Sequence, residues 1–169
     1  MDNSQLTMDN SQLTMESGQL TLTRGVRNCN PLNIKYSERN KWQGKVADRE
    51  KKDQVFEEFR SMEYGLRAAL KLITKYCLEG TDTPRAIVRR WAPAGVDGNP
   101  TKAYVAYVEK RMELLLVNEW KYALDFDPKR RISYTNRTVI NALLTAMSEF
   151  ESRYTPTEFE LSQAWQLIL

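Results

Sequence analysis

Four polar side chains suited to sugar binding, Arg27, Asn28, Asn30 and Asn33, fall within seven residues around Pro31. A guanidinium fork and three amides can meet sugar hydroxyls and acetamido groups from several directions. The same asparagines also suit a tight turn, because Asn tolerates left-handed backbone and hydrogen-bonds its own main chain. The segment by itself supports both uses. A second group, Glu63, Tyr64 and Arg67, opens a helical pattern further on. Glu63 is the carboxyl best placed to act as an acid, since it follows an irregular segment fit to line a cleft. A carboxylate in a first helical turn is equally favoured by the helix dipole without doing any chemistry. Trp42, Trp91 and Tyr104 are the rings expected to flank such a cleft, with Asn99 facing it from the loop 94–100. Large aromatics are first of all core material, so this role competes with packing.

The chain contains no histidine. That excludes Ser-His-Asp and Cys-His nucleophilic catalysis, which need an imidazole base. It also excludes the histidine-containing zinc sites of most metallohydrolases. Two cysteines, Cys29 and Cys77, are too few for a closed thiolate site or a disulfide framework, and free thiols are expected. We therefore expect no metal and no cofactor. Any acid-base work falls to carboxylates.

The elements that must position these residues are mostly helical. Ser61 opens a helix with Met62, Leu66, Ala69, Leu70, Ile73 and Cys77 on one face, and Gly80 stops it. Thr83 and Pro84 start a second helix that buries Ile87, Val88 and Trp91 and ends at Pro93. Tyr104, Val108, Arg111 or Met112, and Leu115 mark a third, and Val139, Ile140, Leu143, Leu144, Met147 and Phe150 form the clearest amphipathic stripe. Leu161, Ala164, Trp165 and Ile168 predict a last helix after Pro156. Between Gly25 and Arg60 the chain is irregular, with Ile34–Tyr36 and Val55–Phe59 read as short strands and Phe56 and Phe59 as core anchors. Ahead of this body, Met1–Thr7 and Met8–Thr14 are the identical heptapeptide MDNSQLT and Met15–Thr21 is a close copy. One Leu per seven residues makes no coiled coil. Residues 1–24 are therefore read as a disordered repeat tail that adds nothing to a single domain over 25–169.

No apolar run is long enough to span a bilayer, and the start lacks the basic and apolar stretches of a secretory signal. The expected location is cytoplasmic as synthesised, with carriage in a virion or release by lysis, and no membrane partner. The 145 residues from Gly25 onward carry 24 basic and 19 acidic side chains, a mild excess that suits an anionic cell-wall polymer. Arg85, Arg89 and Arg90, with Lys129, Arg130 and Arg131, form two basic clusters without interleaved aromatics, so nucleic acid is not the expected partner.

GVRNCNPLNI from Gly25, Trp42-Gln43-Gly44, FEEFRSMEYGLRA from Phe56 and RRWAPAGVDGNPTKAYVAYV from Arg89 occur in order with ordinary spacing. Together they resemble a family of small phage and prophage virion-associated proteins with the pattern G-[IV]-R-N-N-N-P-x-N-I, W-x-G, G-x-R-A and R-W-A-P. The resemblance covers residues 25 to about 108, and departs from the pattern at Cys29, where an Asn is usual. The same order of turn, W-x-G, F-x-x-F segment and helix is similar to bacterial cell-wall glucosaminidases. Those enzymes, like goose-type lysozymes and lytic transglycosylases, carry their acid on a helix ahead of the turn, often as Glu-Ser. Here that place holds Glu16-Ser17-Gly18, whose slot in the two preceding repeats is Asp-Asn-Ser, so repetition accounts for the match.

The fold expected is mainly α, a lysozyme-like helical domain with a short irregular or β segment near its start. Two functions fit. One is a phage-derived protein acting on peptidoglycan as a carboxylate-dependent glycosidase or lytic transglycosylase, with Glu63 as acid. The other is a non-catalytic virion structural or wall-binding protein whose partners are the glycan strand and other virion proteins. What separates them is whether any carboxylate faces the groove between the asparagine-rich turn and the loop 92–100.

Overall fold

The computed structural model describes residues 13–16 and 19–168. The protein is mainly helical: after a hairpin of β1 (Leu13–Glu16) and β2 (Gln19–Leu22) come α1 (Arg24–Arg27), α2 (Met62–Leu78), α3 (Pro84–Trp91), α4 (Thr101–Glu113), α5 (Arg137–Ser152) and α6 (Glu158–Gln166). None of the described helices is long and apolar enough to cross a membrane.

The helix signals act where they stand in the chain. The Thr83 hydroxyl accepts the Ala86 amide at 3.2 Å and opens α3 with Pro84 in its first turn. Asn136 does the same for α5 through Val139, and Thr157 and Glu160 close a reciprocal capping box on α6. Gly80, at φ +84°, ends α2 while the Thr81 amide reaches back to the Tyr76 carbonyl at 2.8 Å. Such a left-handed residue satisfies the last carbonyls of a helix.

α5 is more than amphipathic. Ten of its sixteen residues are buried, including Ala142, Ala146 and Ser148 between the large apolar side chains, so it has no solvent face of ordinary width. A helix apolar nearly all round belongs in the middle of a bundle. α1, α2 and α4 pack on it, α3 packs on α4, and α6 packs on α2. Past Glu113 the third helix continues as a π-helical turn, Leu114–Glu119, which the apolar stripe gave no sign of. Arg111 stabilises this widening by bonding Glu119 of the turn and Glu149 of α5.

The two strands expected after the turn shrink to isolated bridges, Lys35 with Phe56 and Lys45 with Phe59. Side chains take the amides a ladder would need: Asp53 accepts from Val55 and Phe56 at 2.9 and 3.0 Å. Phe59 is buried in the core as expected, whereas Phe56 is half-buried beneath the Arg24 guanidinium, 4.6 Å from its ring centre.

Residues 1–12, 17 and 18, part of the expected disordered tail, lie outside the described residues. The remainder of that segment corrects the expectation. Leu13–Glu16 pairs antiparallel with Gln19–Leu22, Leu13 opposite Leu22. Thr23 is buried, its hydroxyl donating to the Ser152 carbonyl at 2.7 Å, and Arg24 forks onto Asp53 at 2.6 and 2.7 Å. The packed body thus begins at Thr23 rather than Gly25, because these two side chains are tied to groups distant in sequence. A chain starting at Gly25 should be less stable than one starting at Thr23 by about 1–3 kcal/mol, the cost of leaving buried polar groups without partners. Denaturant midpoints of the two truncations check this, and equal midpoints would restore the boundary at Gly25.

Candidate functional site

The turn after α1 is built by the asparagines themselves. Asn30 is 0% exposed and uses its whole amide, donating to the Ile34 and Glu57 carbonyls and accepting the Ile34 amide, each at 2.9 Å. Asn28 donates to Asp53 at 2.7 Å while its carbonyl takes the Phe59 amide. These two are scaffold. Arg24 above all, with Asn28 and two backbone amides, holds the Asp53 carboxyl well below the usual carboxylate range. Cys29 and Asn33 have φ of +48° and +51°, a left-handed conformation that Asn adopts more easily than a thiol side chain does.

Two glycines let helices clamp this turn. A Cβ on Gly65 of α2 would stand 2.0 Å from the Cys29 carbonyl oxygen, and one on Gly25 would stand 1.8 Å from the Ser152 hydroxyl at the end of α5. The turn is thereby pressed against the last residues of α5. Asn33 completes the contact, donating to the Glu151 side chain at 3.0 Å and to the Glu151 carbonyl at 3.3 Å.

Glu151 lies in a groove of about 610 Å³. Its walls come from Asn33–Lys35, Asn40 and Trp42, Val55 and Phe56, Leu72 and Tyr76 of α2, and the segment from Trp91 to Asn99. Trp91 donates its indole N–H to the Leu32 carbonyl at 3.1 Å and meets the Tyr76 ring edge-on, so it serves core and groove together. Trp42 is half-buried, with an indole N–H that finds no acceptor among the described residues. Asn99 bonds the Pro93 carbonyl and closes its own loop. At the mouth Lys35 pairs with Asp97, both well exposed.

Two carboxyls two residues apart have opposite environments. Burial pushes the Glu151 carboxyl up, an effect that the Asn33 amide and the nearby Tyr104 hydroxyl only partly offset. Burial pushes Glu149 up as well, but Arg111, Thr155 and Tyr107 bring it below the ordinary value. Such divergence sorts a proton donor from a structural anion. Tyr104 of α4 is buried and stacked on Phe150, ring centres 4.1 Å apart, with its hydroxyl beside Glu151.

Of the residues singled out in the sequence, Asn33, Trp42, Trp91 and Asn99 meet at this groove, and Tyr104 lies beneath it. Arg27 is exposed on α1 and does not line it. Glu63, Tyr64 and Arg67 do not line it either: Tyr64 packs under Gly44, Arg67 holds the Leu167 carbonyl at 2.9 Å, and Glu63 lies close enough to Cys29 and Tyr154 to raise both. Most of the basic clusters are spent on ion pairs, Arg85 with Glu109, Arg90 with Glu79, Arg130 with Asp127 and Arg131 with Asp82. The carboxyl that linear reading missed is Glu151. It lies near the end of α5, 118 residues after Asn33, rather than beside the turn in sequence.

Fold and site together define a mainly helical protein with a groove lined, among the described residues, by the half-buried carboxyl of Glu151 and the exposed one of Asp97. No protein-family model matches the chain. It is 34% identical over 89 residues to Protein P5 of Pseudoalteromonas phage PM2, a match covering 52% of this chain and 54% of that one. The chain therefore spans about half the length of the curated relative it matches, and its likeness is to a phage protein.

Proposed function

We propose that the groove takes a glycan strand of peptidoglycan and that Glu151 is the acid that protonates the glycosidic oxygen. The observation that carries this reading is the Glu151 carboxyl, favoured in its protonated form by burial, facing a groove walled by Trp42, Tyr76 and Trp91 and bonded by Asn33. Aromatic walls suit the apolar faces of sugar rings, and a carboxyl whose protonated form is favoured by burial can supply the proton a glycosidic leaving group needs. Retaining and inverting hydrolases both need a second carboxylate. The other carboxylate of the groove, Asp97, is at the mouth and bound by Lys35, which favours single-acid cleavage of the lytic transglycosylase type. Similarity to a phage protein supports association with a virion and a partner among virion proteins.

The non-catalytic alternative draws on that same pairing of Asp97 with Lys35, which leaves the groove no free second carboxylate among the described residues, since a groove of this kind can hold a glycan without cutting it. Incubation of the protein with insoluble peptidoglycan, scoring protein in the pellet and muropeptides in solution, decides between them. We expect pelleting together with release, and release that persists in chelator because the chemistry asks nothing of a metal. Pelleting without release supports the wall-binding reading, and neither effect removes both.

A further inference from the structure

The fully buried phenol of Tyr104 is unusual for what it lacks. Its side chain is 1% exposed, and its hydroxyl has no hydrogen-bond partner of regular geometry among the described residues. Phenylalanine would stack on Phe150 as well, without burying an unpartnered hydroxyl, so packing alone does not explain a tyrosine here. Beside it lies the carboxyl of Glu151, the residue after its stacking partner.

We infer that the Tyr104 hydroxyl is a donor held in reserve for the ionised form of Glu151, acting as a positioning residue for the acid. The inference rests on the reading of Glu151 as the acid. When Glu151 gives its proton to the glycosidic oxygen, the bond from that oxygen to the anomeric carbon breaks and its electron pair stays on the leaving oxygen. A carboxylate then remains in a half-buried place. Asn33 already donates to one carboxyl oxygen at 3.0 Å, and Tyr104 supplies a second donor from the α4 side. The incoming hydroxyl, from substrate or water, bonds to the anomeric carbon and returns its proton to Glu151, closing the cycle. A hydrogen bond made only as charge develops lowers the barrier without tightening substrate binding.

Among the described residues, the other charged side chains lining the groove are engaged in ion pairs. Glu149 of α5 is engaged by Arg111, Arg24 is paired with Asp53, and Lys35 with Asp97. Burial keeps the Tyr104 phenol protonated, raising it well above its usual value, so it remains a donor throughout the working range.

The test is a carbon-13 NMR titration of the Glu151 carboxyl in the whole protein and in Tyr104→Phe, with kinetics on peptidoglycan beside it. The ionisation midpoint should move to higher pH in the variant, because the anion has lost a donor. The kcat of muropeptide release should fall by about 10- to 100-fold with KM unchanged, a loss in keeping with removal of one donor to developing charge. A thermal melt near that of the wild type shows that the variant is folded. An unmoved midpoint overturns the inference, as does an unchanged kcat in an active protein. If the unaltered protein releases nothing, the enzyme reading falls, and the titration still decides whether Tyr104 serves the ionised carboxyl.

Discussion

Glu151→Gln is expected to cut muropeptide release by about 10²–10⁴-fold, the usual contribution of a general acid, while leaving pelleting with the wall intact. Gln keeps the shape and can still accept the Asn33 amide, but it has no proton to give. The same change should leave the protein as stable or more stable at neutral pH. The folded carboxyl is raised above its unfolded value by burial, so the folded state binds its proton more tightly than the unfolded chain does. Its contribution is most favourable below the unfolded value and is lost as pH climbs through the folded one. Replacing it removes that penalty. Loss of activity with a retained or raised melting temperature is therefore the signature of a site held against the interest of stability. Glu63→Gln and Glu149→Gln serve as comparisons. Full activity in Glu151→Gln would move the acid elsewhere, with Glu63 the next carboxylate to examine.

Leu143→Ala should destabilise the protein by about 2–5 kcal/mol, the range for deleting a large side chain from a packed core. Leu143 is 0% exposed on α5, the helix around which the others assemble. For a body of this size that corresponds to a fall in Tm of about 5–20 °C. Activity should fall as well, because Glu151 stands two turns further along the same helix and depends on its register. Denaturant unfolding with an unchanged slope gives the free energy. A shift below about 0.5 kcal/mol, the scale of surface substitutions, would mean that α5 is peripheral.

Where elements are specified by neighbours in the chain, reading the residues in order succeeds. The face Leu66, Ala69, Leu70, Ile73 and Cys77, closed by Gly80, predicts α2 because helical period and a left-handed stop are local properties. Thr83 and Pro84 announce α3 for the same reason. The segment from Ile34 to Phe59 resists such reading: Asp53 captures amides that strand propensity would assign to a ladder. The π-helical turn after Glu113 carries no local mark, since Arg111 holds it through a carboxylate on another helix.

The amino-acid sequence by itself determined a mainly helical body and limited any acid-base chemistry to carboxylates, through helical periodicity and the absence of histidine. It also held the groove's Trp42, Trp91 and Asn99, and the Asn33 that reaches Glu151. It did not determine which carboxylate meets them. Glu63 is near the turn along the chain, and Glu151 is near it in space. Only packing decides that, because Gly25 and Gly65 let the turn sit tightly between α5 and α2, and α5 is drawn to the centre by apolar side chains on nearly every face. Its end then delivers Glu151 to Asn33 from 118 residues away, a contact made by the burial of the whole helix and by nothing in its immediate sequence.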